Sequence, residues 1–354
     1  MSPNVTRILK TVVRKLLQLL IVLFCVTLFT FLLVRFLPGD PEDLLVPGAD
    51  NTGDPRTDQI IREQKEEVRS DMGLDKPLPV QYLEWVSGVA TGDLGFEYSK
   101  QSKEPVSDRV GLALPSTLQL IAYSQIIALG VAIPLGVLSA YGQAGVNSKS
   151  KRVRKAGKIF DRAANATAFG MLSLPNFAVA LLLAFLVGVK LNPSLPEAID
   201  IRPQGYVAFG EDPLDHIFSM LLPSLSLAIG QIAVYMRVLR SDLIQTLQED
   251  FILMAKSKGI SNRRVLWRHA LRPSSLTLVT IAGLQVGTLI GGTVVIEVIF
   301  NIKGMGYLIF ESILTRQYLM LQSCVAIVAV GFVLINALLD VLYTTLDPRI
   351  RHAG

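Results

Sequence analysis

Two carboxylates stand inside apolar stretches of this chain, Glu297 in "GGTVVIEVIF" and Asp340 in "NALLDVLY". A charge inside a bilayer costs roughly 2.5–3.5 kcal/mol on insertion scales, so such a group generally faces a pathway or a partner. Both lie near the ends of their apolar runs, within reach of water. Each therefore fits an interfacial carboxylate as well as a group lining a gate. A proton-coupled secondary transporter needs several ionisable groups near mid-membrane, and the runs show none there. His216, His269 and His352 are far apart, and Cys25 and Cys324 sit in apolar runs without ligand spacing. No metal site and no cofactor are expected. Zinc-protease, serine-hydrolase and phosphate-loop motifs are missing. The nearest approach to the last, "GVNSKS" (Gly145 to Ser150), lacks the glycine before lysine and a preceding strand. The chain is not expected to be an enzyme or to bind ATP in the phosphate-loop manner by itself.

The stretch "AKSKGISNRRVLWRHALRP", Ala255 to Pro273, is basic and lies between two apolar runs. Ser241 or Asp242 is placed to cap a helix entering it, on which Phe251, Met254 and Ala255 share a face. Gly259 suits the left-handed end of that helix. Ser261 or Asn262 would cap a second one, with Val265, Leu266 and Ala270 as its apolar stripe and Pro273 closing the unit. About thirty residues exceed what a plain connector between spans needs. Two uses fit: an anchor lying on the membrane surface, and a docking element for a soluble partner. Further on, Gly283, Gly287 and Gly291 recur every four residues, which puts small residues on one helix face and lets helices approach closely in lipid. That face serves packing within the chain or against a second membrane subunit.

The elements that must position these residues are membrane spans. The chain has 354 residues, 51% hydrophobic and only 18% charged, against about 25% charged for a soluble domain. Six stretches reach the roughly 20 apolar residues that span a bilayer: Leu16–Leu37, Leu114–Tyr141, Ala163–Leu191, Ile217–Leu239, Ser274–Ile299 and Leu319–Leu346. The first follows Arg7, Lys10, Arg14 and Lys15, is too long for a signal peptide and has no small-residue cleavage site after it; it reads as a retained span. Backbone groups in lipid must bond within their own segment, so an all-α membrane protein is expected. Pro134, Pro175 and Pro223 fall inside spans two to four and favour kinks. The net charge of +5 sits between the spans, which points to membrane topology and not to nucleic acid. Lysines and arginines crowd the N-terminus, the second-to-third and fourth-to-fifth loops and the C-terminal tail, so both termini are expected on the cytoplasmic side. The long segment after span one then lies outside. "TDQIIREQKEEVRSDMG" reads as a helix capped by Thr57 or Asp58 and ended by Gly73. "PVQYLEWVSGVATGDLG" reads as an amphipathic one with Tyr82, Leu83, Val86 and Val89 on one face.

Several stretches together carry a resemblance: "FLLVRFLPGDP", "MGLDKPLPVQYLEW", "GDLG", "LPSTLQL", "IPLGVLSA", "LSLPNF", "AKSKGISNRRVLWRHALRP", "GLQVGTLIGGTVVIEVIF" and "LLDVLYTTLDPRIR". They cover nearly the whole chain. It resembles the ABC-importer permeases of the dipeptide/oligopeptide family, of the kind that forms the first of two membrane subunits. The resemblance implies a type I importer fold of six transmembrane helices with a small external helical cap. It divides the chain into a tail and first helix (1–37), the cap (38–113), the transmembrane core (114–346, coupling loop 241–273) and a cytoplasmic tail (347–354). It also implies a multi-pass location in the cytoplasmic (inner) membrane. The implied partners are a second homologous permease, two ATP-binding subunits or one fused, an extracytoplasmic substrate-binding protein and the lipid bilayer. Contact with the ATPase falls to Phe251, Met254, Ala255, Lys258, Gly259, Ile260, Arg263 and Arg264. The sequence departs from the family pattern there: Leu253-Met254-Ala255 stands where Glu-Ala-Ala is general, and Pro273 comes one place late. The implied activity is alternating-access import of short peptides. The same machinery could serve nickel, haem or another small solute, and a stand-alone secondary transporter or channel is the reading from a different class.

Overall fold

The computed structural model describes residues 3–35, 54–71, 73–98, 103–144, 151–191, 201 and 204–346. They are mostly helical. In chain order the elements are α1 (Pro3–Arg35), α2 (Pro55–Asp71), α3 (Leu78–Thr91), a short antiparallel hairpin of β1 (Phe96–Tyr98) and β2 (Lys103–Pro105), α4 (Val106–Ala144), α5 (Lys151–Ser173), α6 (Asn176–Leu191), α7 (Pro213–Thr246), α8 (Asp250–Ser257), α9 (Asn262–Phe300), α10 (Met305–Leu314) and α11 (Tyr318–Leu346).

Among the described residues, four helices are long and apolar enough to cross a membrane: Val106–Gly142, Pro213–Thr246, Asn262–Phe300 and Tyr318–Leu339. The expected third span is present as a bent pair, Lys155–Ser173 and Asn176–Leu191, turned by 100°. The break falls at Pro175. A proline offers no N–H to continue a helix, and it pushes the preceding residue out of the helical region. The next helix restarts from it, with Ala178 and Val179 both donating to the Pro175 carbonyl. The helices containing Pro134 and Pro223 run on past those prolines. The expected first span lies in α1, a helix of 33 residues, within which the side chains of 17–33 are described and mostly apolar.

The chain forms two compact units, Met1–Pro115 with Lys303–Leu334, and Ser116–Ile302 with Ile335–Gly354. In the first, α3 lays its buried side on α1. Tyr82 meets Phe31 and Phe24 edge-on, and its hydroxyl is 2.9 Å from that of Thr27. Leu83 does not belong to this face. It is 66% exposed, whereas Trp85 is 8% exposed and packs with Phe31 and Ala326. Two residues along a helix turn about 200°, so Leu83 and Trp85 cannot share a side. The start of α2 is capped by Asp54, not by Thr57 or Asp58: its carboxylate accepts from Arg56 N and Thr57 Oγ1. Gly73 ends the segment at φ +62°, as glycine permits. Arg109 pairs with Glu97 at 3.1 Å and Glu311 at 2.8 Å. Burial pushes the Glu97 carboxyl above its ordinary range against the pull of Arg109, and Glu311 and Glu104 push the same way.

The core of the second unit gathers Ala128, Ala132, Ala140 and Ala168 against Ile232, Tyr235, Met236, Leu239 and Leu243. Small residues on α4 and α5 let the larger side chains of α7 fill the space between backbones. The same cluster runs on without a gap into α8 and the start of α9, through Ile252, Ala255, Val265, Leu266 and Ala270. The site described next is therefore mounted directly on the core.

Candidate functional site

The basic stretch folds as part of a larger mount. Helix α7 continues past the apolar run to Thr246, so Ser241 and Asp242 lie inside it and cap nothing. After a tight turn α8 begins at Asp250. Gly259, at φ +74°, closes it, with Ile260 N returning to the Ala255 carbonyl. The second helix is not a separate piece ended by Pro273. It is the first part of α9, which passes Pro273 after a wide π-helical segment, Val265–Ala270. Pro273 has no N–H and crowds the carbonyl four residues back, and a widened turn is one way a helix accommodates this. Ser261 precedes the helix without a side-chain cap bond.

Helix α8 has two faces. Ile252 and Ala255 are buried in the core cluster, beside Val265, Leu266 and Ala270. Phe251, Leu253 and Met254 are about half exposed or more, at 45%, 54% and 59%. Lys256, Lys258, Gly259, Arg263 and Arg264 are exposed around them, and Ile260 is half-buried. Ala255 does not share an exposed face with Phe251 and Met254, because it points into the chain. The apolar stripe of Val265, Leu266 and Ala270 is spent on the protein's own core, so it is not free to meet a partner. What remains for a partner is the outer side of α8 with its basic border.

The mount is fixed from above by an ion pair absent from the sequence reading. Arg240 on α7 donates Nε and Nη2 to the two carboxylate oxygens of Asp161 on α5, at 2.6 and 2.9 Å. Ser139 on α4 adds a 2.6 Å bond to the same carboxylate, and Asn165 a 3.1 Å bond. Three helices are thereby tied at one point. Beside it α4 and α5 touch backbone to backbone: a Cβ on Gly142 would lie 2.8 Å from the Gly157 oxygen, and one on Gly157 2.6 Å from the Gly142 oxygen. Thr246 and Ser274 hydroxyls, 2.9 Å apart, join the end of α7 to α9. One sequence signal pointed here: Asp161 is the lone acid in the run "KRVRKAGKIFDRAANAT".

The other candidate residues are scattered. Glu297 is fully buried, with Thr117 of α4 donating to it at 2.7 Å. Asp340 lies in α11, and its side chain falls outside the described residues. The three glycines differ. Gly283 is packed against Leu339, Gly287 is half-buried, and a Cβ on Gly291 would meet nothing within 4 Å. A polar cluster not seen in the sequence joins α4 and α7, where the Tyr235 hydroxyl lies 3.0 Å from Gln125 Oε1 and 2.5 Å from Gln231 Oε1. Among the described residues no three histidine, cysteine or acidic side chains group as a metal site.

Long apolar helices and a short, two-faced helix mounted on the core of the second unit belong to a membrane-spanning protein, and comparison with known proteins gives its class. Residues 132–352 match the family described as the binding-protein-dependent transport system inner membrane component, and residues 8–121 match its N-terminal counterpart. The chain belongs to this family. It is 35% identical over 343 residues to the dipeptide transport system permease protein DppB of Escherichia coli (strain K12), covering 92% of this chain and 94% of that protein. It is 34% identical over 341 residues to the oligopeptide transport system permease protein AppB of Bacillus subtilis (strain 168), covering 96% and 99%. A putative peptide transport system permease protein of Brucella abortus (strain 2308) is likewise 34% identical, over 96% and 98%.

Proposed function

We propose that this chain is the first of two membrane subunits of an ATP-driven importer, and that the pair carries short peptides inward by alternating access. An extracytoplasmic binding protein delivers the peptide, and two ATP-hydrolysing subunits, or one fused, work from the cytoplasmic side. The chain crosses the inner membrane six times with both termini inside, in the type I importer topology. The segment 38–113 forms the external cap over the outer mouth.

The two faces of α8 carry this reading. A half-exposed apolar patch of Phe251, Leu253 and Met254 with a basic border suits a groove on a soluble partner. The opposite face is continuous with the core, so movement of the patch must move α7 and α9 with it. Missing the Glu-Ala of the family pattern, this loop relies on Met254 and its apolar neighbours for grip, with Lys258, Arg263 and Arg264 as the charged rim. The test is reconstitution of the chain with its second permease, ATPase subunits and binding protein in vesicles. Uptake of labelled alanyl-alanine that needs both ATP and the binding protein is expected. Transport by the chain without any ATPase subunit would contradict the reading.

A further inference from the structure

Helix α5 is turned by 100° against α6. Two helices at that angle cannot both follow the bilayer normal. At least one lies half that angle or more away from it, beyond the tilt of up to about 40° usual for a membrane helix. Composition says which. Helix α6 is apolar from Asn176 to Leu191, with Lys190 as its one charge. Helix α5 opens with "KRVRKAGK" and turns apolar only after Arg162. A basic helix start belongs at the membrane surface, so α5 is the slanted member.

The side that α5 gives to the bundle is fixed. Gly157 meets the Gly142 backbone of α4, and Asp161 is held by Arg240 of α7. Lys155, Lys158 and Arg162 recur at the spacing of a single helix face. At 3.6 residues per turn they fall within an arc of about 60°, turned away from Gly157. All three are exposed, and none is ion-paired with a described residue. The one acid of α5, Asp161, is buried and already taken. The same arc continues to Phe169, 59% exposed, and is flanked by Ile159, 57% exposed. Arg162 and Phe169 are seven residues apart, about 10 Å along the helix. A cationic end thus passes without interruption into an apolar one. A soluble partner could neutralise the first, but Phe169 lies within the apolar run that begins at Ala163. A phospholipid supplies both contacts, its phosphate near the cations and its acyl chain beside Phe169.

We infer that the face of α5 bearing Lys155, Lys158 and Arg162 binds an anionic phospholipid, in the leaflet at the α8 end of the second unit. On the proposed orientation this is the cytoplasmic leaflet. Asp161, on the neighbouring face of the same helix, anchors Arg240 of α7. A bound headgroup therefore steadies the mount on which α8 sits. The inference does not depend on a peptide being the cargo.

The test uses the full chain in uncharged detergent, reading the thermal midpoint as phosphatidylglycerol, phosphatidylcholine or soluble glycerol phosphate is added. Phosphatidylglycerol is expected to raise the midpoint at concentrations where the other two do not. Replacing one of the three cations by glutamine is expected to weaken the apparent affinity about five-fold. The triple variant Lys155→Gln, Lys158→Gln, Arg162→Gln should weaken it about a hundred-fold, with its midpoint in phosphatidylcholine unchanged. Exchange among cations, Lys155→Arg, Lys158→Arg and Arg162→Lys together, should keep the response, which separates loss of charge from a folding defect. An equal response of the native chain to both lipids overturns the inference, and so does a triple variant that responds as the native chain does. A response to glycerol phosphate equal to that to phosphatidylglycerol overturns it in favour of a free phosphate. In the reconstituted importer, lost ATPase-subunit association in the triple variant with the lipid response retained would assign the face to a soluble partner and overturn it as well.

Discussion

Two ion-paired anchors, one in each unit, are built on opposite plans. Asp161 and Arg240 are mostly enclosed, matched one to one, and supported by Ser139 and Asn165 from two further positions. Arg109 divides itself between Glu97 and Glu311 and keeps a third of its side chain in water. The first arrangement fixes three helices at a point. The second leaves one guanidinium to satisfy two acids, and water competes for each bond. The contrast fits the parts they serve. On the proposed function the α8 mount has to transmit a push without giving way, and the hairpin and α10 carry no such demand. Stiffness here is a matter of how completely charges and backbones are enclosed, more than of how many pairs are present.

Ways to break this comparison can be ranked by effect. Asp161→Ala strands Arg240 beside the core. The cost should fall at the lower end of about 3–5 kcal/mol, because both side chains keep some water contact. It would appear as a large drop in the thermal midpoint of the detergent-solubilised importer. Gly157→Ala comes next, at about 1–3 kcal/mol, because the new methyl would meet the Gly142 backbone and not a movable side chain. The atoms nearest a methyl on Gly283 belong to Leu339, a flexible side chain, so Gly283→Ala should cost less in the same melting measurement. Gly259→Ala forces an alanine to φ +74°, a strain of about 1–2 kcal/mol, and should show as weaker ATPase-subunit association. In the first unit, Glu311→Gln should change the melting by at most about 1 kcal/mol, as half-exposed pairs do. The smallest effect belongs to Lys76. Its ammonium is held above the usual lysine range by the hydrogen bond to Glu84. A raised lysine stabilises below its unfolded value and loses that contribution only as pH climbs through the folded one. Titration from pH 6 to 9 should therefore leave the melting curves of the native chain and Lys76→Met parallel.

Much of this was legible in the residues. Long apolar runs named four uninterrupted spans, because length and composition decide that without tertiary help. Gly259 was legible because a glycine between two amphipathic stretches has few other uses. The stripe of Val265, Leu266 and Ala270 was seen, but its destination was not. Periodicity tells that a face is apolar, never what covers it, and here the cover is the protein's own core cluster, shared with Ile252 and Ala255 of α8. Leu83 failed for the same reason, with Trp85 taking the buried place. The glycine triplet had the right spacing, yet the tightest backbone approach, Gly142 to Gly157, lies across two helices where no spacing marks it. Asp161 and Arg240 are 79 residues apart, and only the fold pairs them.

The central claim is that α8 is held by one face and grips a partner with the other. The double variant Phe251→Asp, Met254→Asp tests it most directly, because it alters the outer face and leaves Ile252 and Ala255 seated in the core. Co-purification of ATPase subunits with the permease pair should fall about ten-fold or more, as losing a central apolar contact does, with the permease melting curve unchanged. Undiminished ATPase association, with import at the native rate, would contradict the account.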